Sequence, residues 1–299
     1  MAEIVYPPVL RTALTAFKLL DLRFRMEGTE RIPRSGGAVL VSNHVSYLDF
    51  IFAGFAAYPA GRLVRFMAKK EVFDHPVSGP LMRGMHHIPV DRSAGAGAYD
   101  AAVRALKDGE IIGNFAEATI SRSFTVKEIK SGPIRMAAEA GVPVIPVALW
   151  GGQRLWTKGR PRRLLQRHVP ITILVGEPMR PGPDDDIAAL TGDLRRRMTD
   201  LLDEAQRTYP DQRRGVWWQP PTSAAPRPPR RRPPRSTPPP GHAASRAAHV
   251  CPVPQHGRYA EGLTGGQGTG ITEPGGTRNP YLGAVDEHRA PPPAGRTRH

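Results

Sequence analysis

His44 and Asp49, five residues apart, are the first side chains in this chain that could act together on a proton. They lie in the stretch Val41-Ser42-Asn43-His44-Val45-Ser46-Tyr47-Leu48-Asp49. A neutral imidazole, with a pKa near ~6.5, suits removal of a hydroxyl proton at neutral pH, and a neighbouring carboxylate can hold its tautomer. On a continuous helix the two would point about 140° apart, so they meet only if a helix begins between them. The apolar run 38–41 reads as a short buried strand and the run 48–53 as a helix. Ser46 and Asp49 supply a capping-box pattern at the junction, from which Asp49 can reach back to the imidazole.

More chemistry-bearing residues follow the later apolar runs. Lys69 and Lys70 come after the second, and Arg92 after Ile88-Pro89-Val90-Asp91. Phe115-Ala116-Glu117-Ala118-Thr119-Ile120-Ser121-Arg122-Ser123 is a small, hydroxyl-rich stretch with one acid and one base. Lys130 stands just before a helix start whose free amides favour an anion. Each charge alone reads as a solvated rim residue. Together they line the exits of consecutive strands, where open α/β sheets bind ligands.

The elements that must hold these residues are legible as an alternation. Candidate strands are 39–42, 63–68, 88–90, 111–115, 144–149 and 171–175. Candidate helices are 47–57, 77–85, 98–107, 132–140 and 187–207, the last with Ile187, Leu190, Leu194, Met198, Leu201 and Ala205 at helical spacing. Gly109 and Gly141 look like helix C-caps. Such alternation predicts an α/β sheet with helices on its faces.

Composition frames the rest. A net charge of +15 over 299 residues suggests an anionic partner: nucleic acid, anionic lipid or a phosphorylated substrate. More than half of that charge, and of the 33 prolines, falls after residue 210, where Arg227-Pro228-Pro229-Arg230-Arg231-Arg232-Pro233-Pro234-Arg235 cannot pack a core. Residues 211–299 are therefore expected to be a disordered tail. The one cysteine, Cys251, lies within it, which leaves no disulfide or cysteine metal site within the chain. Residues 1–30 carry no signal-peptide pattern, and no run reaches the ~20 apolar residues of a membrane span. Leu10, Ala13, Leu14, Phe17, Leu20 and Phe24 fall on one helical face among Arg11, Lys18, Arg23 and Arg25. That pattern suits a helix lying on an anionic membrane, or equally one packing on a core.

Other chemistries find no support. There is no Gly-x-Ser-x-Gly elbow, Walker loop or Gly-x-Gly-x-x-Gly fingerprint. His86 and His87 are adjacent on an expected strand and so point to opposite faces, a poor metal pair. A basic protein that binds nucleic acid through its tail is the reading from another class, but aromatic platforms for single strands are missing from the body.

Four ordered blocks over roughly residues 30–180 resemble the glycerolipid acyltransferase family that contains the lysophosphatidate acyltransferases. Asn43-His44 and Asp49 match its Asn-His-x4-Asp block, and Gly84 through Ile88-Pro89-Val90-Asp91-Arg92 is similar to its second. Phe115-Ala116-Glu117-Ala118-Thr119-Ile120-Ser121 resembles Phe-Pro-Glu-Gly-Thr-Arg-Ser. Lys130-Ser131-Gly132 and Val142-Pro143-Val144-Ile145-Pro146-Val147 resemble the fourth. The third block departs at Ala116, Ala118 and Ile120; Ile120 replaces the arginine that the resemblance implies would bind the acceptor phosphate, and Arg122 is the cation two residues on.

The resemblance implies a single mixed-sheet α/β acyltransferase domain over 31–210 with flanking helices, after an amphipathic membrane-associated helical segment at 1–30. It implies acyl transfer from acyl-CoA or acyl-carrier protein to the free hydroxyl of a lysophospholipid, foremost 1-acyl-glycerol-3-phosphate. Another lysolipid, glycerol 3-phosphate or a glycolipid is the alternative acceptor. His44 and Asp49 would be catalytic. Asn43, Lys69, Lys70, Arg92, Glu117, Thr119, Arg122 and Lys130 would bind substrate. No cofactor or metal is expected, nor nucleic acid as a partner. The partners are an acyl thioester donor, a lysophospholipid acceptor and an anionic membrane surface, with the protein peripheral on the cytoplasmic face of the plasma membrane.

Overall fold

Every residue of the strand Ala38–Ser42 is buried, with Val39 and Val41 packed on one side of a sheet and Ala38 and Leu40 on the other. A strand covered on both faces reads as a continuous apolar run, which is why it stands out in the sequence. It is β2 of a seven-stranded sheet in a computed structural model that describes residues 3–91, 97–115, 117, 119–213 and 215–219. The other strands are β1 (Arg23–Glu27), β3 (Val64–Lys69), β4 (Ile88–Val90), β5 (Ile111–Asn114), β6 (Val144–Trp150) and β7 (Pro170–Val175). The helices are α1 (Tyr6–Leu19), α2 (Asp49–Ala56), α3 (Lys70–Asp74), α4 (Ser78–Gly84), α5 (Gly97–Lys107), α6 (Gly132–Ala140) and α7 (Ile187–Arg207).

The strand order is β1-β7-β6-β2-β5-β3-β4. Neighbours run parallel except β6 and β7, so the sheet is mixed as expected. Strands β2 to β6 therefore all end at one edge. The chain leaves β2 for β3 and β4 on one side and returns to β5. It then crosses through α6 to β6 on the other side of β2. That reversal opens a crevice beyond the C-terminal end of β2, the usual ligand position in such sheets.

Helices cover both faces. Phe52, Ala53 and Ala56 of α2, with Phe17 of α1, pack on Leu40, Ile145, Val147, Leu149 and Ile171. On the other face α5, α6 and α7 pack over Val39, Val41, Val144 and Trp150. Helix α7 buries Leu194, Met198, Leu202 and Ala205, a stripe at helical spacing. The Asp186 carboxylate starts it by accepting the Ala188 and Ala189 amides at 2.8 and 3.1 Å. Gly141 ends α6 in the left-handed conformation, φ 66°.

The structure corrects both boundaries of the expected domain. The N-terminal helix stops at Leu19, and Phe24 belongs to β1, which pairs with β7. Asp21, at φ 46°, turns the chain between them. The alternating Arg23-Phe24-Arg25-Met26-Glu27 carries a period of two that the helical reading of Phe24 overrode. Helix α1 packs on the core: the Tyr6 hydroxyl donates to the Val64 carbonyl at 3.0 Å, and Phe17 stacks on Phe52 at 5.7 Å. Arg11, Lys18 and Leu19 remain exposed.

At the other end the folded body continues past residue 210 to Gln219. Trp218 is buried, its ring 4.4 Å from the Arg154 guanidinium, and Arg154 pairs with Asp211 at 2.9 Å. Trp217 and Trp218 are thus packing residues of a C-terminal strap. The remainder of the expected tail, 220–299, lies outside the described residues. No helix among the described residues is long and apolar enough to cross a membrane.

Candidate active site

The turn after β2 is built around one carboxylate oxygen. Asp49 Oδ2 accepts the Val45 amide at 2.6 Å, the Ser46 amide at 2.7 Å and His44 Nδ1 at 3.1 Å. Asp49 opens α2, so its charge also sits at the positive end of the helix. The carboxylate is 1 % exposed and the imidazole 20 %. With a carboxylate as its partner, Nδ1 carries the hydrogen, and Nε2 is left with a lone pair for a substrate proton. Burial raises the Asp49 pKa, opposed by the bonds from His44, Ser46 and Val45.

The expected capping box forms by half: the Asp49 carboxylate accepts the Ser46 amide, but the reciprocal bond from the Asp49 amide to Ser46 Oγ is absent. Ser46 Oγ accepts the Leu48 amide at 3.1 Å instead. Its proton faces two carbonyls of the loop after β6, Gly152 at 3.0 Å and Trp156 at 2.7 Å. The same loop gives Thr157 Oγ1, donating to Val45 O at 2.7 Å, and Trp156 O, accepting the Tyr47 amide at 3.1 Å. The turn is therefore strapped to β6 from below. Gly152 is required there, since a Cβ would stand 2.9 Å from the Phe52 ring and 3.1 Å from Ser46 Cβ.

The loop after β5 closes the other side. Phe115 stacks on the His44 ring at 4.3 Å between centroids. The Ser121 amide donates to the His44 carbonyl at 2.6 Å, and Glu117 Oε1 accepts the His44 amide at 3.3 Å. Glu117 is buried, which raises its carboxyl pKa against the Lys127 and His44 amide bonds. Its Oε2 finds no partner among the described residues.

The other expected site residues divide. Asn43 is buried, and its amide bridges to the β6 backbone: Nδ2 donates to Leu149 O at 3.0 Å and Oδ1 accepts Leu149 N at 2.7 Å. These two bonds fix the strand exit and leave one Nδ2 hydrogen and one Oδ1 lone pair. Lys69 ends β3, exposed; Lys70 is exposed and pairs with Asp91 at 3.2 Å. Thr119, Arg122 and Lys130 are exposed around the loop that follows β5, and Ile120 is buried. Arg92, like Ala116 and Ala118, lies outside the described residues. Reasoning from sequence missed the support role of Ser46 and Thr157 and the stacking of Phe115; only the Gly151-Gly152 pair after a strand hinted at a close approach there.

His87 does not face the site. It is buried under Tyr6 and Phe66, and its Nδ1 accepts the Phe66 amide at 3.0 Å. His86 is not in a strand but at φ 56°, just before β4.

Comparisons with known proteins agree with this architecture. The family model described as Acyltransferase matches residues 23–150. The chain is 28% identical over 195 residues to the 1-acyl-sn-glycerol-3-phosphate acyltransferase of Bacillus subtilis (strain 168), covering 61% of this chain and 91% of that one. It is 34% identical over 159 residues to the protein of the same name from Limnanthes douglasii, covering 52% of this chain and 54%, about half, of the plant protein. The crystal structure of the 1-acyl-sn-glycerophosphate (LPA) acyltransferase PlsC from Thermotoga maritima superposes with a TM-score of 0.57 at 25% identity, over 69% of this chain and 81% of that one.

Proposed function

We propose that the chain is an acyltransferase of the glycerolipid acyltransferase family, a reading supported by the Acyltransferase family model and the relatives, and that it acylates the free hydroxyl of 1-acyl-glycerol-3-phosphate to give phosphatidic acid. The donor is an acyl thioester of CoA or of a carrier protein. The observation that carries this reading is the His44 Nδ1 to Asp49 Oδ2 contact at 3.1 Å, set in the crevice beyond β2. The names of the relatives support the acceptor.

In this reaction His44 Nε2 takes the proton of the acceptor hydroxyl as its oxygen bonds to the thioester carbonyl carbon. The tetrahedral intermediate collapses, the carbon–sulfur bond breaks, and the leaving thiolate takes the proton back from the imidazolium. Asp49 stabilises the imidazolium and holds its orientation. The substrate's own hydroxyl is the nucleophile, so no enzyme serine is consumed. Arg122, Lys130, Lys69 and Lys70 are the exposed cations offered to the phosphates of acceptor and donor. The protein works on the cytoplasmic face of the plasma membrane, where both substrates meet.

A second acceptor class is favoured by one observation. Ile120 is buried where the family pattern has an arginine, so phosphate binding at that position is lost. Glycerol 3-phosphate, another lysolipid or a glycolipid then becomes the alternative. Thiol release from acyl-CoA, and separately from acyl-carrier protein, would be followed with each acceptor in turn. Lysophosphatidate-dependent release that disappears in His44→Ala supports the proposal; release that needs a different acceptor replaces it with the alternative.

A further inference from the structure

Between the loop that braces the catalytic turn and β7, the chain builds a surface that the reaction does not use. Residues 158–168 read Lys-Gly-Arg-Pro-Arg-Arg-Leu-Leu-Gln-Arg-His, basic throughout and without an acid. The segment is tethered at its middle and at its end: the Arg163 amide donates to Leu155 O at 2.7 Å and the His168 amide to Leu20 O at 3.0 Å. The Gln166 amide donates to Arg163 O at 2.9 Å, which closes a turn with Leu164 and Leu165 at its two central positions. Turn centres ordinarily hold Gly, Pro, Asn, Asp or Ser. Here two leucines stand 41% and 86% exposed, in water, with a shallow open recess beside them.

A second segment joins them. The His168 tether sets this loop beside the end of α1, where Leu19 is 69% exposed next to Lys18. Exposed leucines from two separate parts of the chain are thus brought near one another, and the same two segments expose Lys18, Lys158, Arg163 and Arg167; the one acid at their junction, Asp21, is paired with His168. Arg160 and Arg162 are held rather than loose, their guanidinium groups 4.7 Å from the Trp217 ring and 4.4 Å from the Trp156 ring. Trp156 in turn lies 4.7 Å from Tyr47, inside the turn that carries His44 and Asp49.

We propose that the 158–168 loop, with the end of α1, docks on an anionic phospholipid bilayer. Leu164, Leu165 and Leu19 enter the boundary of the acyl chains, and the surrounding Arg and Lys side chains meet the lipid phosphates. An apolar tip inside a basic rim is the chemistry of interfacial binding, and long cationic side chains keep their heads in the phosphate layer while their stems follow the leucines. A nucleic acid would use the charge and leave the leucines wet. Through Arg162, Trp156 and Tyr47 the docked loop lies against the catalytic turn, so docking brings the His44 crevice to the surface that holds a lipid acceptor. The proposal rests on the lipid-acceptor reading given above.

The test is co-sedimentation of the full chain with vesicles of phosphatidylcholine alone and mixed with phosphatidylglycerol. Wild type is compared with Leu164→Ser/Leu165→Ser and with Arg163→Glu. The tail after residue 219 is itself basic, so each pair is read at low salt and again at salt that screens charge. The double leucine variant should bind mixed vesicles about tenfold more weakly, a deficit that persists at high salt. Arg163→Glu should bind more weakly at low salt only. Turnover of a water-soluble short-chain acceptor should be unchanged in both variants. Vesicle binding by the leucine variant equal to wild type would overturn the proposal. So would a wild type that ignores vesicles but turns from dimer to monomer on the leucine substitutions, which gives the face to a second copy of the chain. If no acceptor is turned over while binding still depends on the leucines, the acceptor reading fails and the docking surface stands.

Discussion

Phe115 lies across the His44 imidazole at 4.3 Å with an interplanar angle of 27°, so the ring proposed to move the proton is held on its flat side as well as at its Nδ1 edge. Behind Phe115, Phe66 stacks at 5.9 Å and 15°. Phe66 can lie there because residue 113 is a glycine: a Cβ on Gly113 would stand 2.4 Å from the Phe66 ring. Gly113→Ala should therefore push Phe66 onto Phe115 and tilt the imidazole. We expect a stability loss of about 1–3 kcal/mol in urea denaturation, with kcat falling more than KM rises. A variant with unchanged kcat would show that the stack has no influence on His44.

Removing the carboxylate charge should separate catalysis from folding. Asp49→Asn keeps an oxygen for the Val45 and Ser46 amides but loses the charge opposite Nδ1. The analogous change in a Ser-His-Asp triad lowers turnover by ~10⁴, and a loss of about that order is expected here in a thiol-release assay. The folded fraction by circular dichroism should stay near wild type. Turnover within about tenfold of wild type would remove Asp49 from the proposed mechanism.

Asn43 makes the opposite prediction. Its two bonds to Leu149 hold the exit of β2 against β6. Asn43→Ala leaves a buried amide and carbonyl of Leu149 unpaired, at a cost of about 1–3 kcal/mol each before relaxation. The melting temperature should drop clearly. KM for the acceptor, measured well below the transition, should move little; a large rise in KM with normal stability would make Asn43 a binding residue first.

His87 gives a pH dependence with a defined sign. Burial, then the charges of Arg65 and His86, lower its pKa from 6.5 to about 4. Between those values the unfolded chain binds the proton and the folded chain does not, so acid favours unfolding. The stability is present in full above the unfolded value and is lost as pH falls through this window to about 4. The span corresponds to roughly 3 kcal/mol at most. Urea midpoints measured from pH 7 to pH 4 should show this slope, and His87→Asn, which can still accept the Phe66 amide, should flatten it. Equal slopes in both proteins would assign the acid sensitivity elsewhere.

The C-terminal strap sets a length for the folded body. A chain ending at Tyr209 lacks Asp211 and Trp218, which leaves the buried Arg154 without its ion-pair partner and stacking face. Loss of one partner of a buried pair costs about 3–5 kcal/mol; with Asp211 partly exposed, the lower end is expected. A chain ending at Gln219 should melt like the full-length protein. Equal melting of the two truncations would make the strap dispensable.

Much of the architecture was legible because its signals are local. The helix at Gly132–Ala140 begins after a Lys-Ser pair and ends at a glycine, and α7 shows an uninterrupted stripe, so both bounds follow from the sequence. The exit of β2 was legible as a place where His44 and Asp49 could meet. Three features were not. Strand β1 is only five residues long and finds its place by pairing with β7, far along the chain. The packing of 211–219 depends on Arg154, which has no local signature as a partner for tryptophan. Asn43 reads as a motif residue, and only the position of Leu149 across the sheet shows that its amide also ties β2 to β6. In each case the deciding contact joins residues distant in sequence, which local propensity does not encode.

The bonds that hold the His44–Asp49 turn against the loop after β6 bridge 106, 110 and 112 residues of chain. Contacts of that separation form late, after the intervening strands have closed their loops. A growing or partly unfolded chain can already contain the helix that begins at Asp49, yet its imidazole has no fixed aim until β6 and its loop are in place. The reactive group is consequently born inert. Turnover reports completion of the sheet, and in a mild denaturant it should fade while most of the helical signal remains.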